Sequence, residues 1–136
     1  GIESRWTTPV RLLWPTTEPF LVRKICCGSD HTLALCSDGA MYAWGLNNEG
    51  QCGVGTTHDV MRPTRVAALP GLGAGAPVGA FAAGGRHSLL VTAERPEFTG
   101  KEQSVRGLLY AWGCGQGGRL GNGNTTNQCS PTLIEP

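Results

Sequence analysis

Tyr42-Ala43-Trp44-Gly45 and Tyr110-Ala111-Trp112-Gly113 are the same four residues, 68 positions apart. Both tryptophans are followed by glycines at identical offsets of 1, 6, 9 and 11 residues, and by a proline at an offset of 19. In the two copies these residues are Gly45, Gly50, Gly53, Gly55 and Pro63, and Gly113, Gly118, Gly121, Gly123 and Pro131. Agreement at so many fixed offsets marks an internal repeat, which has to be recognised before any local pattern is interpreted.

The repeat extends upstream, where residues 25–33 and 81–89 both contain Gly-x-x-His-Thr/Ser-Leu. In the first copy the histidine precedes the tryptophan by 13 residues and in the second by 25, so the second copy carries 12 extra residues. We therefore divide the chain into a tail of a preceding unit (1–21), a first complete repeat (22–77) and a second repeat (78–136) with an insertion near 93–106.

Composition favours a β-rich protein with many turns. Glycine and proline together supply 30 of the 136 residues, which disfavours long helices. Charged residues make up 15% of the chain and the net charge is +1, so no surface for nucleic acid or membrane is indicated. No apolar run approaches the length of a membrane-spanning helix or a secretory signal. The default expectation is a soluble intracellular protein, nuclear or cytoplasmic.

Local patterns predict four short strands in each repeat. Ser37-Asp38-Gly39 has the composition of a tight turn between antiparallel strands. In the strand that follows it, Met41 and Ala43 share one face while Tyr42 and Trp44 share the other. Strands are predicted near 22–27, 32–36, 40–45 and 64–68, and then near 78–83, 88–92, 107–113 and 132–135. Four strands in a unit of about 55 residues describe one blade of a β-propeller.

These residues resemble a known family, the repeat of the regulator of chromosome condensation. Its Cys-Gly-x-x-His-Thr-Leu-Ala-Leu, Asp-Gly, Tyr-Ala-Trp-Gly-x-Asn and Gly-Gln-x-Gly-x-Gly segments stand in order between residues 22 and 66, and residues 78–134 match with an insertion. The resemblance covers most of the chain and implies an all-β fold. It implies two four-stranded antiparallel blades that form a fragment of a larger propeller, which has seven blades in this family.

The resemblance implies a non-catalytic scaffold for protein interaction. Family members exchange guanine nucleotide on the small GTPase Ran, which binds one face of the ring while chromatin meets the other, and others act in ubiquitin-ligase complexes. The implied partners are the remaining propeller blades and a protein, with a small GTPase as the first candidate; no residue for exchange is transferred. Some members sense ultraviolet light through tryptophans at positions that hold Ser29 and Gly85 here, so light sensing is not expected.

Residues that recur in both repeats are interpreted as structural. His31 and His87 are expected to hold their glycine turns by hydrogen bonds rather than to act in catalysis, and Trp44 and Trp112 are expected to pack between adjacent blades. An enzyme that uses the two histidines is the less favoured alternative. The structural repeat positions are Gly28, His31, Asp38, Gly39, Trp44, Gly45, Gly53, Gly84, His87, Trp112, Gly113 and Gly121.

Two sequence patterns resemble cofactor or metal sites, but each lacks a feature that such a site requires. Residues 113–118 satisfy the Gly-x-Gly-x-x-Gly dinucleotide fingerprint, but the glycine-rich residues after them do not form the helix that the fingerprint requires. The six cysteines include no Cys-x-x-Cys and no zinc-finger spacing, so reduced and mostly buried thiols are expected. We predict no catalytic residue, cofactor or metal.

The insertion is the one irregular feature and the candidate site for a partner. It holds 6 of the 21 charged residues of the chain, and long insertions in a repeat often carry function. Because strand directions alternate, it is placed at the same end of the blades as the connector 69–77. The alternative is a mobile solvent loop. The candidate partner residues are Glu94, Arg95, Glu97, Lys101, Glu102 and Arg106.

Two blades cannot close a ring, so each end of the pair is expected to expose an apolar face. Leu12 and Trp14 at one end, and Leu133 and Ile134 at the other, are expected to contribute to these faces. Repeat proteins gain much of their stability from contacts between neighbouring units. The chain alone is therefore predicted to be poorly stable or to self-associate.

Overall fold

A computed structural model describes residues 7–17, 21–72, 77–93, 95–99 and 102–135, with side chains described outside 95–106. Ten strands and a single short 3₁₀ turn, Gln116–Gly118, form the regular structure of these residues. In chain order the strands are β1 (Val22–Cys27), β2 (His31–Cys36), β3 (Met41–Gly45), β4 (Val60–Arg65), β5 (Val78–Ala83), β6 (His87–Thr92), β7 (Arg95–Thr99), β8 (Glu102–Arg106), β9 (Leu109–Gly113) and β10 (Gln128–Ile134).

The strands form two antiparallel four-stranded sheets and a separate hairpin. Blade 1 has the order β1-β2-β3-β4, blade 2 has the order β10-β9-β6-β5, and β7 pairs with β8. The same register recurs in both blades, since Thr32 lies opposite Trp44 in blade 1 and Ser88 lies opposite Trp112 in blade 2. The predicted fold class, two antiparallel four-stranded blades, is therefore confirmed.

The last strand of each blade begins about four residues before its predicted start. β4 begins at Val60 rather than near residue 64, and β10 begins at Gln128 rather than near residue 132. The first residue of each strand pairs with the glycine that follows the repeat tryptophan. The register then shifts before the segment that was predicted as a strand. A bulge of this kind interrupts the alternation of side chains that a sequence pattern relies on.

Glycines at the repeated offsets mark backbone turns that other residues rarely adopt. All eight have positive φ, from 70° at Gly53 to 111° at Gly45. The predicted Asp-Gly turn is also present, because Gly39 has a φ of 83° and the Asp38 carboxylate accepts a hydrogen bond from the Ala40 amide at 2.9 Å. L-amino acids other than glycine lose about 1–2 kcal/mol in the left-handed region.

The hydrophobic core lies between the two blades rather than inside either sheet. Its blade 1 side chains come from one face of β2 and β3 and from the segments around β4, and its blade 2 side chains come from the opposite face of β6 and β9. These residues are Leu33, Met41, Ala43, Cys52 and Val66, packed against Leu90, Tyr110 and Trp112. The two predicted faces of β3 are confirmed, because Tyr42 belongs to a separate cluster with Cys36 and Ala40.

Candidate interaction surface

A chain of buried polar groups joins the two blades. The Ser88 hydroxyl donates to the main-chain carbonyl of Gln51 at 2.9 Å, and the Trp112 indole N–H donates to the same oxygen at 3.0 Å. His31 Nε2 lies 2.8 Å from Ser88 Oγ. Since the serine proton is used toward Gln51, the imidazole must donate, which places the His31 proton on Nε2. All four residues are at most 3% exposed.

His31 thus holds the neighbouring blade, and not only its own turn. Its ring lies against Gly28, where a side chain would collide with it, so the predicted contact with the glycine turn exists as packing. Its hydrogen bond, however, crosses to Ser88 in blade 2. His87 packs on Gly84 in the same way.

The surroundings of both histidines favour the neutral imidazole. Burial, followed by the proximity of His87, lowers the pKa of His31 below its ordinary value. Burial, followed by the Arg119 guanidinium, lowers the pKa of His87. The Nδ1 atoms of both rings are buried and make no hydrogen bond among the described residues. A proton added there would have no acceptor, so acid should disfavour this arrangement.

Asn47 organises the long loop of blade 1, a role that the sequence did not reveal. Its side chain is fully buried and its amide donates to the carbonyls of Thr56 (2.8 Å) and His58 (2.9 Å). Its side-chain oxygen accepts from the Cys52 amide at 2.9 Å. Blade 2 has Gly115 at the equivalent position, and a side chain there would collide with the carbonyl of Thr126. The blade 2 loop therefore closes without this amide.

One ion pair crosses between the blades at the loop end. Arg86, on the β5–β6 turn, contacts Glu49 of the blade 1 loop at 3.2 Å. The Glu49 side chain is 18% exposed and that of Arg86 is 46% exposed. Water reaches this pair, so its contribution to stability is small, about 0–1 kcal/mol. The ion pair joins the β5–β6 turn of blade 2 to the long loop of blade 1.

The face of blade 1 that points away from blade 2 is partly covered by residues 7–17. We call it the near face and define it by Val22, Ile25, Thr32, Tyr42 and Trp44. Trp14 packs edge-on against Tyr42 and Trp44, with ring centroids 5.0 and 6.0 Å apart. Beside it runs a groove of about 790 Å³, lined mainly by apolar side chains that include Leu12, Leu21, Ile25 and Trp44. Trp112 is fully buried between the two blades, whereas Trp44 is half-buried and packs against Trp14.

The opposite face of blade 2 is the second exposed apolar surface. We call it the far face and define it by His87, Leu89, Val91, Leu109 and Ala111. Val91 is 38% and Leu109 is 37% exposed. The sequence had indicated Leu133 and Ile134 for this end. Ile134 lies opposite Leu109, at the far face, whereas Leu133 lies opposite Tyr110 and packs against the inter-blade core.

The insertion of blade 2 is a β-hairpin, β7–β8, rather than an unstructured loop. Its base is tied to the blade, since the Thr92 hydroxyl accepts from the Leu108 amide at 2.9 Å and the Ala93 amide donates to the Pro77 carbonyl at 2.8 Å. The second contact places it beside the β4–β5 connector, as predicted. The register sets Arg95 opposite Arg106 and Glu97 opposite Ser104.

The hairpin places several candidate partner residues on one of its faces. Positions 95, 97, 99, 102, 104 and 106 share a face by pairing and alternation. The sequence puts Arg95, Glu97, Glu102 and Arg106 at four of these six positions. Glu94 and Lys101, the other two candidates, lie outside the described residues.

Two sequence patterns remain, the glycine-rich segment 113–118, which forms a turn, and the six cysteines, which are free thiols. The Gly-x-Gly-x-x-Gly segment ends in the three-residue turn Gln116–Gly118, in which Gly117 has a φ of 70°, so no helix N-terminus follows it. All six cysteines are free thiols; Cys36, Cys52 and Cys114 are buried, and burial raises the pKa of Cys52 to about 12. Within the described ranges, no group of three His, Cys, Asp or Glu side chains could hold a metal ion. In the same part of the chain, no helix is long and apolar enough to cross a membrane.

Both blades carry the structural repeat of one family. Family models of the regulator of chromosome condensation (RCC1) repeat match residues 38–91 and 106–136, and a second such model matches residues 22–51. The unmatched residues 92–105 hold nearly the whole β7–β8 hairpin. The chain belongs to the RCC1 repeat family, whose blades it shares.

Relatives in this family include proteins of several kinds. The chain is 34% identical over 113 residues to the ultraviolet-B receptor UVR8 of Arabidopsis thaliana, which is 83% of this chain and 22% of that protein. It is 36% identical over 137 residues to the human E3 ubiquitin-protein ligase HERC2, which is 99% of this chain and 2% of that protein. The crystal structure of human WBSCR16 superposes with a TM-score of 0.67 and 26% identity, covering 93% of this chain and 29% of that one. The chain thus spans less than a quarter of the length of UVR8 and of HERC2.

Proposed function

We propose that this chain is a non-catalytic scaffold for protein interaction, of the RCC1 propeller type, and that it binds a partner protein through the β7–β8 hairpin. The observation that carries the proposal is the position of the hairpin. It interrupts the repeat between β6 and β9, where blade 1 needs only the short turn between Cys36 and Met41. Insertions that decorate one end of a repeat array commonly form its binding face.

The repeat residues support the scaffold role. His31 and Ser88 are used in the contact between blades, which leaves neither side chain available as a base or nucleophile in the described arrangement. Arg95, Glu97, Glu102 and Arg106 hold register positions on one face of the hairpin, so residues of both signs alternate along it. Such groups give orientation and specificity to protein contacts more than raw affinity.

The outer faces define a second kind of partner. The near and far faces repeat the two surfaces that meet inside the blade pair, and both expose apolar side chains. We therefore include further blades of the same type among the partners, so that this chain contributes two blades to a larger propeller.

Two partner classes are candidates for the hairpin. The family resemblance suggests guanine nucleotide exchange on a Ran-like small GTPase. The alternative is a module of a ubiquitin-ligase complex, favoured by the 36% identity to HERC2 across 99% of this chain. Release of fluorescent GDP from a purified Ran-like GTPase separates them, since only an exchange factor accelerates it.

The variant that tests the hairpin as the binding site is designed from the equivalent turn of blade 1. Residues 93–107 are replaced by Ser37-Asp38-Gly39, the equivalent turn of blade 1, and Leu108, which packs against the core, is kept. We expect this variant to keep the wild-type melting curve, because the core between the blades is untouched. We expect it to lose GTPase binding, or binding to the ligase subunits that wild type co-purifies with. Equal partner binding by wild type and by the folded variant would refute the hairpin as the binding site.

A further inference from the structure

The β7–β8 hairpin is a two-stranded sheet with no third strand among the described residues. β7 and β8 pair with each other, and no other described strand contacts either of them. A two-stranded hairpin by itself is only marginally stable in water, and a third strand stabilises it. The hairpin therefore has two edges at which another strand could be added.

The two edges differ, because β7 contains a proline. Proline has no backbone N–H, so within a sheet it occupies positions whose N–H would point away from the neighbouring strand. Pro96 therefore directs its backbone toward the outer edge of β7, and Phe98, two positions further on, does the same. The β7 edge lacks one hydrogen-bond donor and is a poor template for a further strand.

The outer edge of β8 has all of its backbone groups. Opposite Pro96 and Phe98 lie Val105 and Gln103. Residues directly opposite each other in an antiparallel pair share the same hydrogen-bonding state, so Val105 and Gln103 direct their N–H and C=O groups away from the hairpin. These two donors and two acceptors form the pattern to which an added strand binds.

β8 is complementary to itself when two copies meet edge to edge and antiparallel. With Ser104 opposite Ser104 of the second copy, Gln103 lies opposite Val105, so the outward backbone groups of both copies meet. In the same register Glu102 lies opposite Arg106 of the second copy, and Arg106 lies opposite its Glu102. Opposite charges at such positions stabilise antiparallel strands, and like charges destabilise them. One register thus satisfies the hydrogen bonds and the charges together.

The hairpin contains an arginine pair that such a neighbour would balance. Arg95 lies directly opposite Arg106, and like charges in this arrangement destabilise an isolated hairpin. In the antiparallel register, Glu102 of the second copy would lie beside Arg106 on the same face of the enlarged sheet. The second copy therefore places an acidic residue next to two opposed basic residues.

The edge strands of the blades are less suitable occupants. Pairing with Glu102 and Arg106 requires a basic and an acidic residue four positions apart on one strand. β1 and β4 contain basic residues and no acidic ones, and β5 and β10 contain no charged residue. Blades of the kind that this chain contains therefore lack the match that β8 offers to itself. β8 lies inside the chain, so its complementarity does not depend on where the chain begins or ends.

We propose that two copies of this chain associate through the outer edges of β8, as an antiparallel pair with Ser104 on the two-fold axis. The product is a four-stranded sheet in the order β7-β8-β8-β7. The contact uses the same surface of both copies, so it closes at two copies, and Pro96 hinders the addition of strands at the outer edges. This association goes beyond the proposed function, because it uses the edge of the hairpin and a copy of the chain.

A disulfide between the two copies tests the register directly. Ser104 lies between two hydrogen-bonded positions, so its Cα atoms in the two copies would be about 4.5 Å apart, which suits a disulfide. The contact is small and the free dimer should be weak, so covalent capture is the appropriate readout. Under mild oxidation, Ser104→Cys should give a covalent dimer. Mass spectrometry should identify the 104–104 linked peptide and separate it from links through the six native cysteines.

Glu97→Cys is the matched control for the disulfide. Residue 97 lies opposite Ser104 on β7, on the same face of the hairpin. In the proposed sheet the two copies of residue 97 are separated by both β8 strands, which is about 14 Å. Glu97→Cys should therefore give no 97–97 link under the conditions that link Ser104→Cys.

Charge reversal in the Ser104→Cys chain tests the pairing of Glu102 with Arg106. Glu102→Arg and Arg106→Glu should each lower the yield of the 104–104 link at least about tenfold, because both symmetry-related pairs become repulsive. Mixing the two variants should restore the link, and so should combining both changes in one chain. Glu135→Arg, which changes the net charge as much as Glu102→Arg at an exposed position outside the hairpin, should leave the yield unchanged.

Thermal melts should show every variant folded, because the core between the blades is untouched. If a charge variant does not fold, Gln103→Pro replaces it: this change removes an outward N–H, spares the bonds to β7 and should abolish the link.

Several outcomes overturn the proposal. Absence of the 104–104 link excludes a second copy at this edge. An equal yield from Glu97→Cys would mean that the copies meet without a fixed register, and charge reversals without effect would refute the pairing of Glu102 with Arg106. The hairpin replacement measures binding of a different protein, so the proposed function and the association of copies can fail independently.

Discussion

Replacing the two repeat tryptophans by alanine should have unequal effects, although they occupy the same strand position. Trp112 is fully buried and donates its indole N–H to Gln51. Removing a large buried aromatic costs about 3–5 kcal/mol, and the lost hydrogen bond belongs to that cost. Trp44 is half-buried and packs against Trp14. Less apolar area is lost there, so we expect a cost below about 3 kcal/mol.

Urea unfolding followed by far-ultraviolet circular dichroism measures both costs, at a concentration where sedimentation shows monomers. Phenylalanine variants add a finer comparison. Trp112→Phe should cost at least about 1 kcal/mol, because it removes the bond to Gln51, whereas Trp44→Phe should cost less than about 0.5 kcal/mol. Equal costs for the two alanine variants under monomeric conditions would refute the view that blade 1 covers Trp112 while Trp44 lies at an open face.

Three further perturbations test the glycine turns, the long loop and the histidines. Gly53→Ala should cost at least about 1 kcal/mol more than Gly39→Ala in urea unfolding, because both have positive φ but only at Gly53 would the new Cβ lie 2.5 Å from the Trp112 indole nitrogen. Asn47→Ala should lower the unfolding free energy by about 2–4 kcal/mol, since three hydrogen bonds between a fully buried side chain and the backbone are lost; a cost below about 1 kcal/mol would contradict its role in the loop. The folded-state pKa of His31 is lowered, so the unfolded chain binds a proton that the folded chain does not, and stability should fall as pH drops below about 6.5. His31→Gln should reduce this pH dependence and leave the part that comes from His87, whose pKa is lowered as well.

The fold could be predicted from the sequence because its signals are local and occur twice. Glycines with positive φ sit at matched offsets, and the alternation along β3 separates Met41 from Tyr42 correctly. The starts of β4 and β10 were predicted about four residues late, because their first residues pair across a bulge and show no regular alternation.

The contacts between blades could not be predicted from the sequence in the same way, because they join residues far apart in the chain. His31 and Ser88 are 57 residues apart, and no local pattern pairs them. The sequence did contain one signal, the hydroxyl residue that follows the histidine in both repeats, Thr32 and Ser88. The unequal burial of the tryptophans depends on which neighbour is present, and identical motifs carry no information about that.

The carbonyl of Gln51, which receives hydrogen bonds from Ser88 and Trp112, has a consequence for how such genes can be rearranged. The acceptor belongs to one repeat and both donors to the next, so the unit that packs differs from the unit that recurs in the sequence. A duplication or deletion of one whole period preserves every such contact, wherever it begins. The number of repeats can therefore change without loss of this hydrogen bond.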